Sequence, residues 1–340
     1  MIFRSKAPLR IGLAGGGTDV SPYCDLFGGA ILNATLSLYA HASLEPLEED
    51  TIILEAKDRV EKQTWGFEKV LPIDGTLDLL KGVYNCIQRD YGGFKTGFKL
   101  STFVDAPAGS GLGTSSTLVV AIIGAFAEML RLPLGEYDIA QYAYQIERNE
   151  LQLAGGRQDQ YAATFGGVNF MEFYSDDKVI VNPLRIKQQY LFELENNLVL
   201  YYTATNRESA QIIVKQRKNV TSKNESSIEA MHQLKSQAQM MKEALLKGKL
   251  NDFGAILDYG YQQKRKMAEG ISNPFMEEIY EVAKKAGATG GKISGAGGGG
   301  FMIFYCPGNT KYGVIEELKQ FGGQHKNYQF TKHGLTTWTI

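Results

Sequence analysis

Apolar residues recur along the chain at two different periods, and the alternation of those periods predicts an α+β protein. Residues 98–104 set Phe98, Leu100, Thr102 and Val104 against Lys99 and Ser101, the two-residue period of a half-buried strand. This run leads directly into DAPAGSGLGTSS (105–116), and the apolar stretch that follows reads as a buried helix from about Thr117 to Leu130. Strand, glycine-rich loop and helix therefore follow one another without a break. Residues 9–13 and 30–42 read as strands on either side of the cluster Gly15, Gly16 and Gly17. Residues 136–153 carry Tyr137, Ala140, Tyr144 and Glu147 at helical spacing and end at Gly155-Gly156. Residues 168–181 read as paired strands turning at Asp176-Asp177. Further on, 226–250 and 251–268 predict long amphipathic helices, with Met231, Met240 and Met241 as core filling. Asn273-Pro274 opens a helix to about Lys285, with the proline in its first turn. No repeat of solenoid period occurs.

Length changes this picture by dividing it. The 340 residues exceed the roughly 250–300 at which a single core stops growing, which predicts two domains sharing a cleft. The polar stretch 182–193 is where the boundary is expected, giving units 1–185 and 186–340. Charge is balanced, 36 Lys and Arg against 37 Asp and Glu, so neither composition nor any basic stripe points to a nucleic-acid partner. The opening MIFRSKAPLR interrupts its apolar positions with Arg4, Lys6 and Arg10, which argues against a signal peptide and for the cytoplasm. The run 118–130 contains Glu128 and is too short to span a bilayer, so no membrane role is expected. Cys24, Cys86 and Cys306 are far apart and predict packed, reduced thiols. His41, His232, His325 and His333 lack metal-ligand spacing.

Three glycine-rich segments carry the candidate chemistry: residues 8–19, 107–116 and 290–300. Glycine lets backbone N–H groups approach a ligand unhindered, and a helix N-terminus adds partial positive charge. The middle segment has both features, and Thr114, Ser115 and Ser116 add hydroxyls suited to phosphate oxygens or Mg²⁺. It is not a Walker A loop, since no GxxxxGK[ST] occurs and Lys292 precedes Ile293. It also does not fit the dinucleotide fingerprint. Taken alone, the segment has a tight turn with a serine-rich helix cap as its lesser alternative.

Together, APLRIGLAGGGTD, PAGSGLGTSS and GGKISGAGGGG resemble the three signature motifs of the GHMP kinases, named for galactokinase, homoserine kinase, mevalonate kinase and phosphomevalonate kinase. The resemblance spans most of the chain. It implies a two-domain α+β fold: an N-terminal β-sheet and helix domain that binds ATP, and a C-terminal ferredoxin-like domain. It implies ATP and Mg²⁺, with Pro107, Gly109, Ser110, Gly111, Leu112, Gly113, Thr114, Ser115 and Ser116 around the phosphates. Ser115 and Glu147 match the family's metal ligands, although Glu147 also reads as a solvated helix face. Asp159, in GGRQDQ, matches the catalytic base, and Arg10 matches the cation that pairs with it.

For the acceptor, Thr18 and Asp19 match a hydroxyl-binding pair and Gly297 lies in the third motif. Gly16 and Gly17 stand where galactokinases carry Glu-His, which leaves room for a bulkier sugar. That opening resembles the branch acting on D-glycero-D-manno-heptose 7-phosphate and is shared with fucokinase-type enzymes. The resemblance thus implies phosphorylation of an anomeric hydroxyl to a 1,7-bisphosphate. An L-fucokinase or other sugar-1-kinase, and a non-catalytic sensor of sugar and ATP, are the alternatives. A distal phosphate would require basic donors, for which Arg157, Arg207 and Lys292 are candidates. The partners implied are a sugar phosphate and ATP, with a homodimer left open. Asp252-Phe253-Gly254 spells a protein-kinase motif but lacks its companions and falls in a helical pattern.

Overall fold

A computed structural model describes residues 1–94, 96–205 and 209–340. The chain opens with β1 (Phe3–Ala14), a short α1 (Tyr23–Phe27), β2 (Gly29–Pro46) and the hairpin β3 (Thr51–Ala56) and β4 (Glu61–Gly66). Next come α2 (Asp78–Asp90), β5 (Phe98–Val104), α3 (Thr114–Leu130), α4 (Glu136–Gln145), a π-helical turn (Ile146–Glu150) and α5 (Gln158–Phe165). The strands β6 (Val168–Phe173) and β7 (Val179–Pro183) then form the hairpin anticipated at 168–181, with both turn aspartates at positive φ. The second half runs α6 (Gln188–Asn197), β8 (Leu198–Tyr202), α7 (Ser209–Thr221), α8 (Glu225–Lys247), α9 (Leu250–Met267) and α10 (Pro274–Lys285). It finishes with β9 (Gly290–Ile293), β10 (Phe301–Tyr305), α11 (Thr310–Leu318), β11 (Gln324–His325) and β12 (Thr336–Thr339).

Among the described residues the strands make two sheets. The larger has the order β12-β1-β2-β5-β3-β4, with β6 on the other half of β2 and β7 beyond it. The smaller has the order β11-β8-β10-β9. Numbered within its own unit that order is 4-1-3-2, with helices after the first and third strands and none between the second and third, the ferredoxin-like arrangement expected. In β1, Ala7, Leu9, Ile11 and Leu13 enter the core under the apolar α3. By strand alternation Arg10 and Gly12 lie on the opposite face. Register shifts in the β1–β2 pairing fall on either side of the run from Arg10 to Gly12, the kind of irregularity that re-aims side chains beside active sites.

Several expectations shift in detail. The helix expected from Thr117 begins at Thr114, where Gly113 in the left-handed region ends the loop, so the hydroxyls of the middle motif sit in the first turn. The helix expected over 136–153 stops regular winding at Gln145 and passes through the π turn, whose extra residue rotates Glu147 inward. Asn273 caps α10 through Met276 N–H, as Pro274 anticipated. Met231 and Met241 are buried, but Met240 is exposed, because α8 turns that position outward. The three thiols are free and buried. No helix among the described residues is long and apolar enough to cross a membrane.

The division at 185/186 is not clean in space. Residues after β11 return to the larger sheet, where Leu36 bridges Phe330 and β12 pairs with Phe3, Arg4, Ser5 and Lys6. One apolar cluster also joins Leu9, Val119 and Phe126 to Leu257, Phe301 and Ile303. The tail covers an edge of β1 that would otherwise be unpaired. Thr337 and Thr339 donate to Glu128 of α3, and Leu335 packs over Gly124. Deleting residues 335–340 should therefore lower Tm by about 5–10 °C in calorimetry, with kcat nearly unchanged.

Candidate active site

The three glycine segments meet around one cleft of about 270 Å³. Gly109, Gly111 and Gly113 adopt φ of 73°, 87° and 77°, which open the loop and leave its N–H groups at the start of α3. At Gly111 a side chain is excluded by geometry as well as strain. A Cβ there would lie 2.6 Å from the Ser294 carbonyl oxygen, so the second and third segments touch backbone to backbone. Ser294 Oγ donates to Gly111 O at 2.8 Å and Phe301 N–H to Ser110 O at 2.8 Å. From the first segment, Arg10 N–H reaches Leu112 O at 3.1 Å and its guanidinium reaches Gly111 O at 2.7 Å. The segments thus form a single backbone cradle, with Thr114, Ser115 and Ser116 on its rim.

Arg10 and Asp159 come together as the motifs implied. Arg10 Nη2 lies 2.5 Å from Asp159 Oδ1, and Nε donates to the same oxygen at 2.7 Å. The arginine side chain is 4% exposed and the aspartate 23%, so the carboxylate is the half of the pair that faces the cleft. Its carboxyl carbon would be 3.2 Å from a Cβ at Gly113, which places it against the cradle. Asp19 is buried beside it and accepts N–H bonds from Arg157 at 2.9 Å and Gln158 at 3.0 Å, at the start of α5. Burial pushes the Asp19 carboxyl above the usual range and nearby Asp159 adds to this, while the Gln158 N–H and Arg10 oppose it.

Glu147 is buried on the cleft wall rather than solvated. Desolvation raises its pKa, against the opposing pull of Arg148, 3.6 Å away, and of hydrogen bonds from Ser116 and Gln160. Ser115 stands exposed on the same wall. Among the described residues no three His, Cys, Asp or Glu groups converge as a metal cage. One carboxylate and one hydroxyl are the donor set of a Mg²⁺ that keeps waters and shares nucleotide phosphates.

Other expected contacts fall elsewhere. The Thr18 hydroxyl is committed to Gly15 O, Ala30 O and Ala30 N–H, so it shapes the first loop and does not face the cleft. Arg157 is neutralised rather than free for a phosphate: its guanidinium meets Asp25 at 3.1 Å, Asp177 at 2.8 Å, Ser21 Oγ and Tyr174 O. Leu112 is core, Pro107 is an exposed turn residue, and the buried Ser110 hydroxyl has no partner among the described residues. Gly297 packs on Ile271 outside the cleft lining. Gly17 lines the cleft, with Gly16 beside it. Lys292 is buried beneath the first loop, donating to Gly12 O. Arg207 lies outside the described residues.

Lys264, Gln216, Gln158 and Arg148 also line the cleft, and the motifs do not point to them. Arg148 holds the loop after the π turn through the Leu153 and Gly156 carbonyls. Gln216, on α7, donates to Gly17 O at 2.7 Å and closes the first loop from above. For Lys264 the sequence does carry a signal. Positions 253, 257, 261 and 264 share one helical stripe with Phe253, Leu257 and Tyr261, which places a lysine on a buried face.

Family models for the GHMP kinases N terminal domain and the GHMP kinases C terminal match residues 78–167 and 241–324. The chain belongs to the GHMP kinase family and is a phosphotransferase that uses ATP. It is 48% identical, over 99% of both chains, to the D-glycero-alpha-D-manno-heptose 7-phosphate kinase of Campylobacter jejuni subsp. jejuni. Its structure matches a D-glycero-D-manno-heptose 1-phosphate kinase from Bacteriodes thetaiotaomicron with TM-score 0.85 and 45% identity over 99% of each chain. Lactococcus lactis galactokinase shares the fold, with TM-score 0.79 over 98% of this chain and 95% of that one at 18% identity.

Proposed function

We propose that this protein transfers the γ-phosphoryl group of ATP to the anomeric hydroxyl of D-glycero-D-manno-heptose 7-phosphate, giving the 1,7-bisphosphate. The observation that carries the reading is the Arg10–Asp159 pair, set against a glycine cradle at the N-terminus of a 17-residue helix. Phosphoryl transfer depends mainly on positioning and charge stabilisation, and this site supplies both. Asp159 accepts the proton of the sugar O1. O1 then forms its bond to the γ-phosphorus as the bond to the β-phosphate oxygen breaks, and ADP departs with that electron pair. Arg10 holds the carboxylate toward O1. The cradle N–H groups and the start of α3 bind the phosphates. Asp19, fixed by two backbone donors, presents its remaining oxygen lone pairs to a sugar hydroxyl.

Ser115 and Glu147 would hold Mg²⁺, which supplies charge neutralisation to the nucleotide phosphates when bound. The two heptose kinases are named for different phosphates, the 7- and the 1-phosphate. The relative that matches over its full length at 48% identity supports an acceptor already phosphorylated at O7. The cytoplasm, where ATP is supplied, is the compartment this reading requires.

Coupled ADP release with ATP and Mg²⁺ tests it across heptose 7-phosphate, mannose 6-phosphate, mannose, fucose and galactose. Selective turnover of heptose 7-phosphate, with a new anomeric phosphate by ³¹P NMR, is the expected result. Preference for free fucose would transfer the reading to the fucokinase type.

A further inference from the structure

Residues 146–159 carry groups for both halves of the site, and one arginine ties them together. Glu147 stands on the cleft wall near the start of this stretch, and Asp159 stands at its end. In a regular α-helix successive side chains point about 100° apart. The π turn brings Glu147 and Arg148 to the same cleft. The Arg148 side chain is 12% exposed, and its guanidinium donates to Leu153 O at 3.4 Å and to Gly156 O at 3.2 Å. It therefore clasps the loop that leads from the π turn to α5. A backbone bond from Leu153 N–H to Glu147 O, at 2.8 Å, ties the near end of that loop to the turn.

The two glycines of the loop are required for space. Neither has φ in the left-handed region, but a Cβ at Gly155 would overlap the Arg148 guanidinium and a Cβ at Gly156 would overlap the Asp19 carboxylate. One thickness of backbone thus separates the arginine from the carboxylate that faces the acceptor. The next two residues supply the N–H groups that hold Asp19, from Arg157 at 2.9 Å and Gln158 at 3.0 Å. The Tyr144 ring steadies both arginines, its centroid 5.9 Å from the guanidinium carbon of Arg148 and 5.4 Å from that of Arg157. Gly156 accepts from Arg148 through its carbonyl and lies against Asp19 through its Cα, so a shift of Arg148 passes to Asp19 through a single residue.

We propose that Arg148 is a positioning residue for the acceptor: by fixing the loop 153–156 it sets where Asp19 presents its remaining lone pairs to the sugar. The inference rests on the reading of Asp19 as an acceptor-binding group. Arginine suits the task, because its planar fork holds two carbonyls at a fixed spacing. Arg148 also lies 3.6 Å from Glu147, on the nucleotide side of the cleft. A cation acting on the phosphates of ATP is therefore the competing role, and the test separates the two.

Wild type, Arg148→Gln and Gly155→Ala are compared by initial rates with ATP and heptose 7-phosphate varied separately, and by calorimetric titration with each. Arg148→Gln should lower kcat/KM for heptose 7-phosphate about 100-fold, divided between KM and kcat, the loss expected when an acceptor is misplaced by about 1 Å. KM and Kd for ATP should stay within about 3-fold. Gly155→Ala is the cleaner variant, because the atoms its methyl group would strike are the flexible end of the arginine. It keeps the charge, moves the guanidinium off its two carbonyls, and should raise KM and Kd for heptose 7-phosphate about 10-fold. It also carries the test should Arg148→Gln fail to fold. A rise in Kd for ATP as large as that for the acceptor would assign Arg148 to the nucleotide and overturn the proposal. A lower Tm with acceptor affinity unchanged, or a Gly155→Ala variant that binds the acceptor like wild type, would overturn it as well. Absence of heptose 7-phosphate turnover by the wild type would instead defeat the functional reading beneath it.

Discussion

Asp159→Asn is expected to lower kcat about 1,000-fold while leaving KM for ATP within a few fold. The substitution preserves size and one acceptor oxygen, so Arg10 keeps a hydrogen-bond partner and the cradle stays closed through its bonds to Gly111 and Leu112. What disappears is the negative charge that accepts the proton of O1. Pre-steady-state measurement separates this role from a structural one. If Asp159 merely held Arg10, nucleotide binding would weaken along with turnover. If it is the base, ATP binds normally and the chemical step alone slows. A kcat within about 10-fold of wild type would remove Asp159 from the mechanism.

The second large effect is a trade between activity and stability at Glu147. Glu147→Gln should reduce kcat by about 100-fold at saturating ATP, with added Mg²⁺ failing to restore it. The same variant should melt at a higher temperature than wild type at pH 7.5. Burial raises the folded-state pKa of Glu147 above its ordinary 4.5. Between those two values the native state holds the extra proton, so stability falls as pH rises through that window, and the cost stays in full above it. Glutamine keeps the shape and carries no charge to desolvate. The difference in Tm should therefore shrink toward zero near pH 4. A residue placed for packing alone would lose stability on substitution at every pH. Melting curves at pH 4, 6 and 7.5 distinguish the two cases.

Much of this site is legible in the amino-acid sequence. Arg10, the cradle residues and Asp159 lie in short motifs whose chemistry depends on backbone conformation and residue type, both local properties. Gly111 marks the limit of that legibility. The glycine itself is plain, but its cause is the carbonyl of Ser294, 183 residues along the chain, which a Cβ would strike. Arg157 misleads for a related reason. An arginine beside a catalytic aspartate looks available, and only the fold brings Asp25 and Asp177 to it. Helix α7 shows no strong periodic signal, so nothing local marks Gln216 as a cleft residue. Met240 looks like core by composition, yet its helical phase differs from that of Met231, and phase rather than residue type decides which side of α8 is buried.

The sequence by itself determined the α+β class, the three glycine segments, the strand–loop–helix unit from Phe98 onward and the cap at Asn273. These follow from periodicity, φ preference and capping, which act over a few residues. Tertiary structure alone decided that residues beyond β11 return to the first sheet, that Glu147 faces inward through a π turn, and that Lys264 and Lys292 meet beneath Gly16. Such outcomes depend on which distant surfaces bury one another and on which charges they bring together, and no local pattern encodes a neighbour that lies hundreds of residues away.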